Sequence, residues 1–369
     1  MNAQIKPANH PLAGHTLSGA EMVIQVLADE GTGVVFGYSG GAILPTYDAI
    51  FRWNKNNGEK MPLIVPANEQ AAGFMAAGYA RASGKVGVCL VTSGPGATNT
   101  VTPVRDCMAD SIPIVVICGQ VPTASIGSDA FQEAPISSIM APCAKHVFLV
   151  TDPKKLEATV RTAFDLARSG RPGPVVVDIP KDVQNWSGVF AGEGMLPVPG
   201  YRARLKAVFD NRISDEAAGK FYEILKASRK PLIYAGGGVI HANASAALRE
   251  FADSFGIPVV TTLMGIGAYD TTAPRSLQML GMHGTAFANY ATDDCDFLIA
   301  VGARFDDRVA GVPAKFARSA KWIAHLDIDA SEINKVKRVH WHHLGELKAS
   351  LNSLREFAVR QKFEPDYAE

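Results

Sequence analysis

The sequence predicts an α/β protein built from two doubly wound parallel-sheet domains, and three observations lead there. Strand-sized runs that are apolar on both faces alternate with helix-length stretches along nearly the whole chain. Glycine-rich turns follow several of these runs directly, as they do in nucleotide- and cofactor-binding sheets. At 369 residues the chain is long for one domain and suits two at the usual ~150 residues each.

The first series of runs covers 34–36, 63–65, 86–91, 114–118 and 175–178. The pattern then lapses into QNWSGVFAGEGMLPVPGY, rich in Gly and Pro, which reads as a linker over 186–200. A second series covers 231–235, 258–262, 297–301 and 322–327. The expected domains are therefore 1–185 and 201–360, with a polar tail.

Composition excludes several function classes. Hydrophobic residues make up 47% and charged residues 20%, ordinary for a soluble globular chain. Lys+Arg and Asp+Glu both total 36, so no basic field exists to attract nucleic acid or an anionic membrane surface. The apolar runs fall far short of the ~20 residues that span a bilayer. The first 18 residues carry neither a signal-peptide core nor an Arg/Ser-rich transit composition. The five cysteines are scattered without CxxC pairing, several inside apolar runs, so we expect reduced core thiols and a cytoplasmic protein. Zero net charge also predicts weak colloidal repulsion and ready association.

The string PLIVPANEQAAGFMAAGYARASGK reads as strand, turn and helix. Asn68 suits the N-cap, Glu69 falls in the first turn and Gly84 suits the C-terminal stop. The helix is crowded with Ala and Gly, a surface that lets another backbone or a cofactor approach closely. By position alone Glu69 is an ordinary helix-start carboxylate. The following run, however, ends in VTSGPGATNT, whose Gly94, Pro95 and Gly96 open another helix.

Together these strings resemble the pyrimidine-binding domain of thiamine-diphosphate enzymes, with wording closest to the acetolactate synthase family. In that family the matching glutamate hydrogen-bonds the aminopyrimidine ring, which then removes the thiazolium C2 proton. The resemblance implies Glu69 as the catalytic residue, with Pro66, Gly96 and Asn99 beside the pyrimidine. GYSGGAILPTYDAI implies a loop near the reacting centre, where Gly40, Gly41 and Ala42 leave room for substrate. GQVPTASIGSDAFQEAP places Phe131 and Gln132 along a substrate channel, and GRPGPVVVDIPKDVQ adds Lys181 to that channel and Arg171 as a flavin contact. Taken singly, Phe131 fits core packing and Lys181 a solvated loop charge. Ser39 stands where the family usually has Pro, which is expected to loosen that turn slightly.

The second domain carries YAGGGV, TTLMGIGAYD, MLGMHGTAFANYA and GARFDDRVAG. Three glycines after a strand are by themselves a weak signal. With the other strings they resemble the central, FAD-binding domain of the same family. That resemblance implies FAD contacts at Gly236, Gly237, Gly238, Leu263, Met264, Gly281, Met282, His283, Gly302, Arg304, Asp306, Arg308, Asp327 and Ile328. Arg304 and Arg308 suit a diphosphate, and Asp327 suits ribose hydroxyls. Glu346 stands where the family usually has Asp, so one flavin contact is expected to weaken. The run HWHH, 340–343, invites a zinc reading, but no carboxylate or thiolate partner motif is nearby; we expect it at the surface and assign no metal ligands.

The expected substrates are small 2-keto acids: two pyruvates giving 2-acetolactate and CO₂, or pyruvate with 2-ketobutyrate. Mg²⁺ and the cofactor diphosphate belong in this family to a third domain with a GDG motif, which we do not find here. The isolated chain is therefore expected to turn over little; the resemblance implies a homo-oligomer, at least a dimer, with a separate C-terminal half or a regulatory subunit as further possible partners. Two alternatives remain open at this point: another flavin-containing thiamine-diphosphate enzyme such as pyruvate oxidase, and a catalytically dead FAD-binding or assembly module.

Overall fold

The strands form where the apolar runs are, because a chain segment apolar on both sides is satisfied only inside a covered sheet. The computed structural model describes residues 10–364 and 367. It divides into two units, the first ending at Val198 and the second beginning at Pro199.

The first unit contains β1 (Thr16–Ser18), β2 (Val35–Tyr38), β3 (Leu63–Ile64), β4 (Gly87–Val91), β5 (Ile114–Gln120), β6 (His146–Leu149), β7 (Val175–Pro180) and β8 (Ser187–Val189). Six of these make a parallel sheet in the order β3-β2-β4-β5-β7-β6. Every residue of β4, β5 and β7 is buried. The order reverses between β2 and β4, which opens a crevice at their carboxyl ends. β1 and β8 form a separate antiparallel ribbon, so part of the stretch expected as linker is strand paired with the start of the chain.

A buried ion cluster fastens the flanking helices. Helix Gly19–Asp29 starts in a capping box between Ser18 and Glu21. It packs against helix Leu156–Arg168. Arg161, 1% exposed, donates to Asp29 at 2.7 Å and to Glu157 at 3.0 and 3.1 Å, and lies 5.5 Å from the Phe190 ring centroid. Glu157 also accepts the Ala191 N–H at 2.8 Å.

The second unit contains β9 (Pro231–Ala235), β10 (Val259–Thr261), β11 (Ser276–Met279), β12 (Phe297–Val301), β13 (Trp322–Asp327) and β14 (Trp341–Leu344). These pair in parallel in the order β11-β10-β9-β12-β13-β14. Counted from β9, that is the 3-2-1-4-5-6 order of dinucleotide-binding sheets, with the crevice between β9 and β12. Its core centres on Phe221, whose ring lies 5.6 Å from Phe297 and 5.1 Å from Trp341.

The surface placement expected for HWHH is corrected here. Alternation along the edge strand β14 buries Trp341 and His343 and exposes His342. Trp341 donates from Nε1 to the Ala217 carbonyl at 2.9 Å. Burial holds the His343 imidazole below its ordinary pKa. Among the described residues no three His, Cys, Asp or Glu side chains converge as a metal site.

Candidate functional site

Glu69 is the first residue of helix Glu69–Ser83 and only 9% exposed. The Asn68 side chain caps the helix by accepting the Ala71 N–H at 2.8 Å, and Gly84 ends it in the left-handed conformation. Asn99 holds the carboxylate by donating from Nδ2 to Oε2 at 2.9 Å. Oε1 accepts no hydrogen bond among the described residues and lies 3.6 Å from where a Cβ on Gly96 would stand. A buried carboxylate with one oxygen satisfied and the other open is suited to hold a polar ligand hydrogen.

The loops after β2 and β4 meet around Thr92, which sequence reasoning missed. Its Oγ1 accepts the Ala42 N–H at 3.3 Å, and any Cβ on Gly40 or Gly96 would strike its side chain. Gln184, also missed, donates to the Ala42 carbonyl at 2.7 Å and to the Ile179 carbonyl at 3.0 Å, and accepts from Thr46 Oγ1 at 2.9 Å. The Gly40–Ala42 turn is therefore pinned from two sides beside the exposed Ser39. Both signals were visible only as polar residues beside apolar runs.

Phe131 and Gln132 are the central residues of a turn closed by the Glu133 N–H on the Ala130 carbonyl at 2.9 Å. Gln132 takes a positive φ of 57°, and Phe131 stands 88% exposed. The Glu133 carboxylate accepts the Gly127 and Ala130 N–H groups, and these bonds hold its pKa below the ordinary range. Gly94 has φ +54°, and a Cβ there would lie 2.4 Å from the Gln132 carbonyl oxygen. Gly94→Ala is expected to cost roughly 1–3 kcal/mol through backbone strain alone. A urea melt checks this.

Lys181, half-buried, opens the helix just past the carboxyl end of β7. Arg171 precedes the amino end of the same strand, so the structure sets it at the opposite edge of the sheet, with Nε on Ser111 Oγ at 2.9 Å. Pro66 lies between β3 and the Glu69 helix. Part of the helix's small-residue surface is filled by this chain itself: a Cβ on Gly73 would strike the Pro103 ring, and Ala72, Ala76 and Ala80 are buried.

In the second unit the expected FAD residues gather at the carboxyl edge of the sheet. Gly236 and Gly238 are required by Gly302: a Cβ on either would meet its backbone at 2.2 and 2.7 Å. Gly237 faces Met264. Met282 donates its N–H to the Arg308 carbonyl at 2.8 Å, and Asn289 brackets both the N–H and the carbonyl of Gly281. Leu263, Met282 and His283 stand in solvent. Arg304 is partly neutralised by Asp306 at 2.6 Å, and Asp306 also accepts the Arg308 N–H. Asp327 ends β13 with Oδ1 on the Asp329 N–H at 2.9 Å, just before Ile328. The edge thus offers cationic, apolar and acidic groups that fit a flavin dinucleotide.

Glu346 has a structural duty at this edge. Its carboxylate caps helix Leu347–Arg360 by accepting the Lys348 and Ala349 N–H groups at 3.0 and 2.8 Å. Glu346→Ala is expected to lose about 1 kcal/mol of stability. Chemical denaturation measures it.

Comparison with known proteins agrees with both sheets. Residues 17–140 match the model for "Thiamine pyrophosphate enzyme, N-terminal TPP binding domain", and residues 219–354 match "Thiamine pyrophosphate enzyme, central domain". The chain belongs to the thiamine pyrophosphate enzymes and carries those two domains. Within that class its relatives are acetolactate synthases. It is 45% identical over 355 residues to the acetolactate synthase large subunit of Parasynechococcus marenigrum, covering 96% of this chain and 56% of the relative. It is 42% identical over 367 residues to the large subunit of Corynebacterium glutamicum (99% and 56%) and, over 367 residues, to the mitochondrial catalytic subunit of Saccharomyces cerevisiae (94% and 52%). The chain spans about half the length of the curated relatives it matches. No helix among the described residues is long and apolar enough to cross a membrane.

Proposed function

We propose that this chain supplies the pyrimidine and flavin portions of an acetolactate synthase, which joins two pyruvates into 2-acetolactate with release of CO₂. One observation carries the reading: Glu69 is buried at the sheet's crevice, with Oε2 held by Asn99 and Oε1 open beside Gly96. Thiamine diphosphate, when bound, supplies the electron sink for decarboxylation. Glu69 would hold the cofactor's ring nitrogen through a proton at Oε1. Asn99 fixes the carboxylate's orientation, so little reorganisation is needed when that proton moves. Pro66 and Gly96 would border the ring, and Gly40, Gly41 and Ala42 would leave backbone-lined room for the keto acid.

Phe131, Gln132 and Lys181 would line the approach to this centre. The 88% exposure of Phe131 is costly for an aromatic side chain in water and supports its being covered by substrate or by a second copy. The second unit would hold FAD at its carboxyl edge, with Arg304 and Arg308 on the diphosphate and Asp327 on a ribose. Mg²⁺ and the thiamine diphosphate group would be held by a diphosphate-binding domain joined to or supplied to this chain. Five free cysteines, four of them buried, fit a reducing compartment such as the cytoplasm.

The test is acetolactate formation from pyruvate, thiamine diphosphate, Mg²⁺ and FAD. The chain is assayed alone and with the carboxyl-terminal domain of the Corynebacterium glutamicum relative. Product only after the addition is the expected result. Flavin retention without product under either condition would favour an assembly module instead.

A further inference from the structure

Beneath the loop that carries Phe131 and Gln132 lies a buried carboxyl with no part in the chemistry above. Asp178, 1% exposed on β7, sits opposite Cys118 of β5. Its Oδ2 accepts from Gln120 Nε2 at 3.0 Å, while its Oδ1 is buried without a partner. The same Gln120 amide donates to the Ala134 carbonyl at 3.1 Å and accepts the Val121 N–H at Oε1 at 2.8 Å. One side chain therefore ties the carboxyl to both ends of the 121–134 loop. Two residues before the Ala134 end of that loop the Gln132 carbonyl rests against Gly94.

We propose that Asp178 is a positioning residue: acting through the Gln120 amide, it holds both ends of the 121–134 loop and so sets where Phe131 and Gln132 stand beside the Gly94 turn. Their use as channel residues rests on the carboligase reading, but the clasp itself does not.

The clasp responds to protons. Burial lifts the Asp178 carboxyl from 3.8 to about 7, against the pull of the Gln120 hydrogen bond. The groups facing it are few. Cys118 is held as a thiol by burial and by Asp178 itself. The β6 neighbour is Leu149, and helix Ile136–Met140, packed against β7, brings no charged residue. Helices Leu156–Arg168 and Lys181–Asn185 also pack on β7 and carry Glu157, Arg161, Asp165, Arg168, Lys181 and Asp182, but the Asp178 shift comes from burial and the Gln120 hydrogen bond and from none of these charges. Asp178 is thus the group that titrates here.

When it ionises, the unpartnered Oδ1 becomes part of a buried charge, and states that admit water are favoured. The Ala134 end of the loop, tied to Asp178 through the Gln120 amide, is the part expected to lift. The sign follows from linkage. A carboxyl whose folded pKa is raised gives stability that is complete below 3.8 and is lost as pH rises through about 7. The loss begins above 3.8 and levels off past about 7, so the loop opens more readily at pH 8 than at pH 6.

Hydrogen exchange of the full chain, read by mass spectrometry over 121–140 and corrected for intrinsic rates, tests this without cofactor or turnover. Between pH 6 and 8 the opening equilibrium of this segment should rise about tenfold in the parent chain. It should stay flat in Asp178→Asn, which keeps the shape and an acceptor for Gln120. In Gln120→Ala the segment should exchange fast at both pH values. A flat parent profile, an equal rise in Asp178→Asn, or normal protection in Gln120→Ala would each overturn the clasp. Failure of the carboligase assay would leave it standing.

Discussion

Glu69→Gln is expected to cut acetolactate formation by roughly 10²–10⁴-fold, the usual worth of a positioned acid–base group. The chain is assayed for this with a relative's diphosphate-binding domain. The substitution is nearly isosteric, so the loss is chemical rather than structural. Gln at the first helical position keeps the helix start, because the cap comes from Asn68 and not from residue 69. Asn99 donates to the carboxylate and needs an acceptor there. A Gln side chain can satisfy it only by turning its oxygen toward Asn99, which leaves its NH₂ at the Oε1 position beside Gly96. That NH₂ can donate a hydrogen bond to the ring nitrogen, but unlike a carboxyl it can neither give up the proton nor take it back. The thermal midpoint should move little, and a melt run beside the assay separates the two effects.

The second large effect concerns stability. Arg161→Leu is expected to cost about 3–5 kcal/mol, the range for removing one partner of a buried ion pair. The guanidinium stands between the Asp29 and Glu157 carboxylates, whose side chains are 11% and 8% exposed. Without it, two like charges face each other with little water to screen them. Its contact with the Phe190 ring would be lost as well. Because Glu157 also receives the Ala191 N–H, the damage should reach the segment after β8. Urea unfolding at neutral pH gives the magnitude. A cost under 1 kcal/mol would mean that the cluster is relaxed and hydrated in solution.

The central strands were legible in the sequence for a simple reason. β4, β5, β7, β9, β12 and β13 lie inside their sheets, apolar on both faces, and each coincides closely with an apolar run. Within the two six-stranded sheets, the strands not singled out as apolar runs, β6, β11 and β14, lie at sheet edges. There one face or one backbone edge meets solvent, and HVFL, SLQM and WHHL mix polar with apolar residues. β14 shows the cost of reading composition without alternation, since its four residues hide Trp341 and His343 and expose His342.

The candidate site was legible where glycine or a helix cap marked it. Asn68, Glu69 and the Gly94–Gly96 turn announce themselves through local backbone demands. The polar groups behind them did not. Thr92, Gln120, Asp178 and Gln184 act through partners far away in sequence, as Thr46 does with Gln184 and Gln120 with Asp178. No local pattern encodes such pairings. Gly236 and Gly238, a weak ligand signal by themselves, are each also required by the Gly302 backbone.

The most direct test of the Glu69 half-site is the rate at which the C2 proton of thiamine diphosphate exchanges with deuterium. It would be followed by proton NMR with the chain and a relative's diphosphate-binding domain, with Glu69 intact or replaced by Gln. Exchange should be accelerated at least ~10²-fold over free cofactor with Glu69, and little with Gln. Equal acceleration in both would contradict this, because the proton contact would then lie elsewhere.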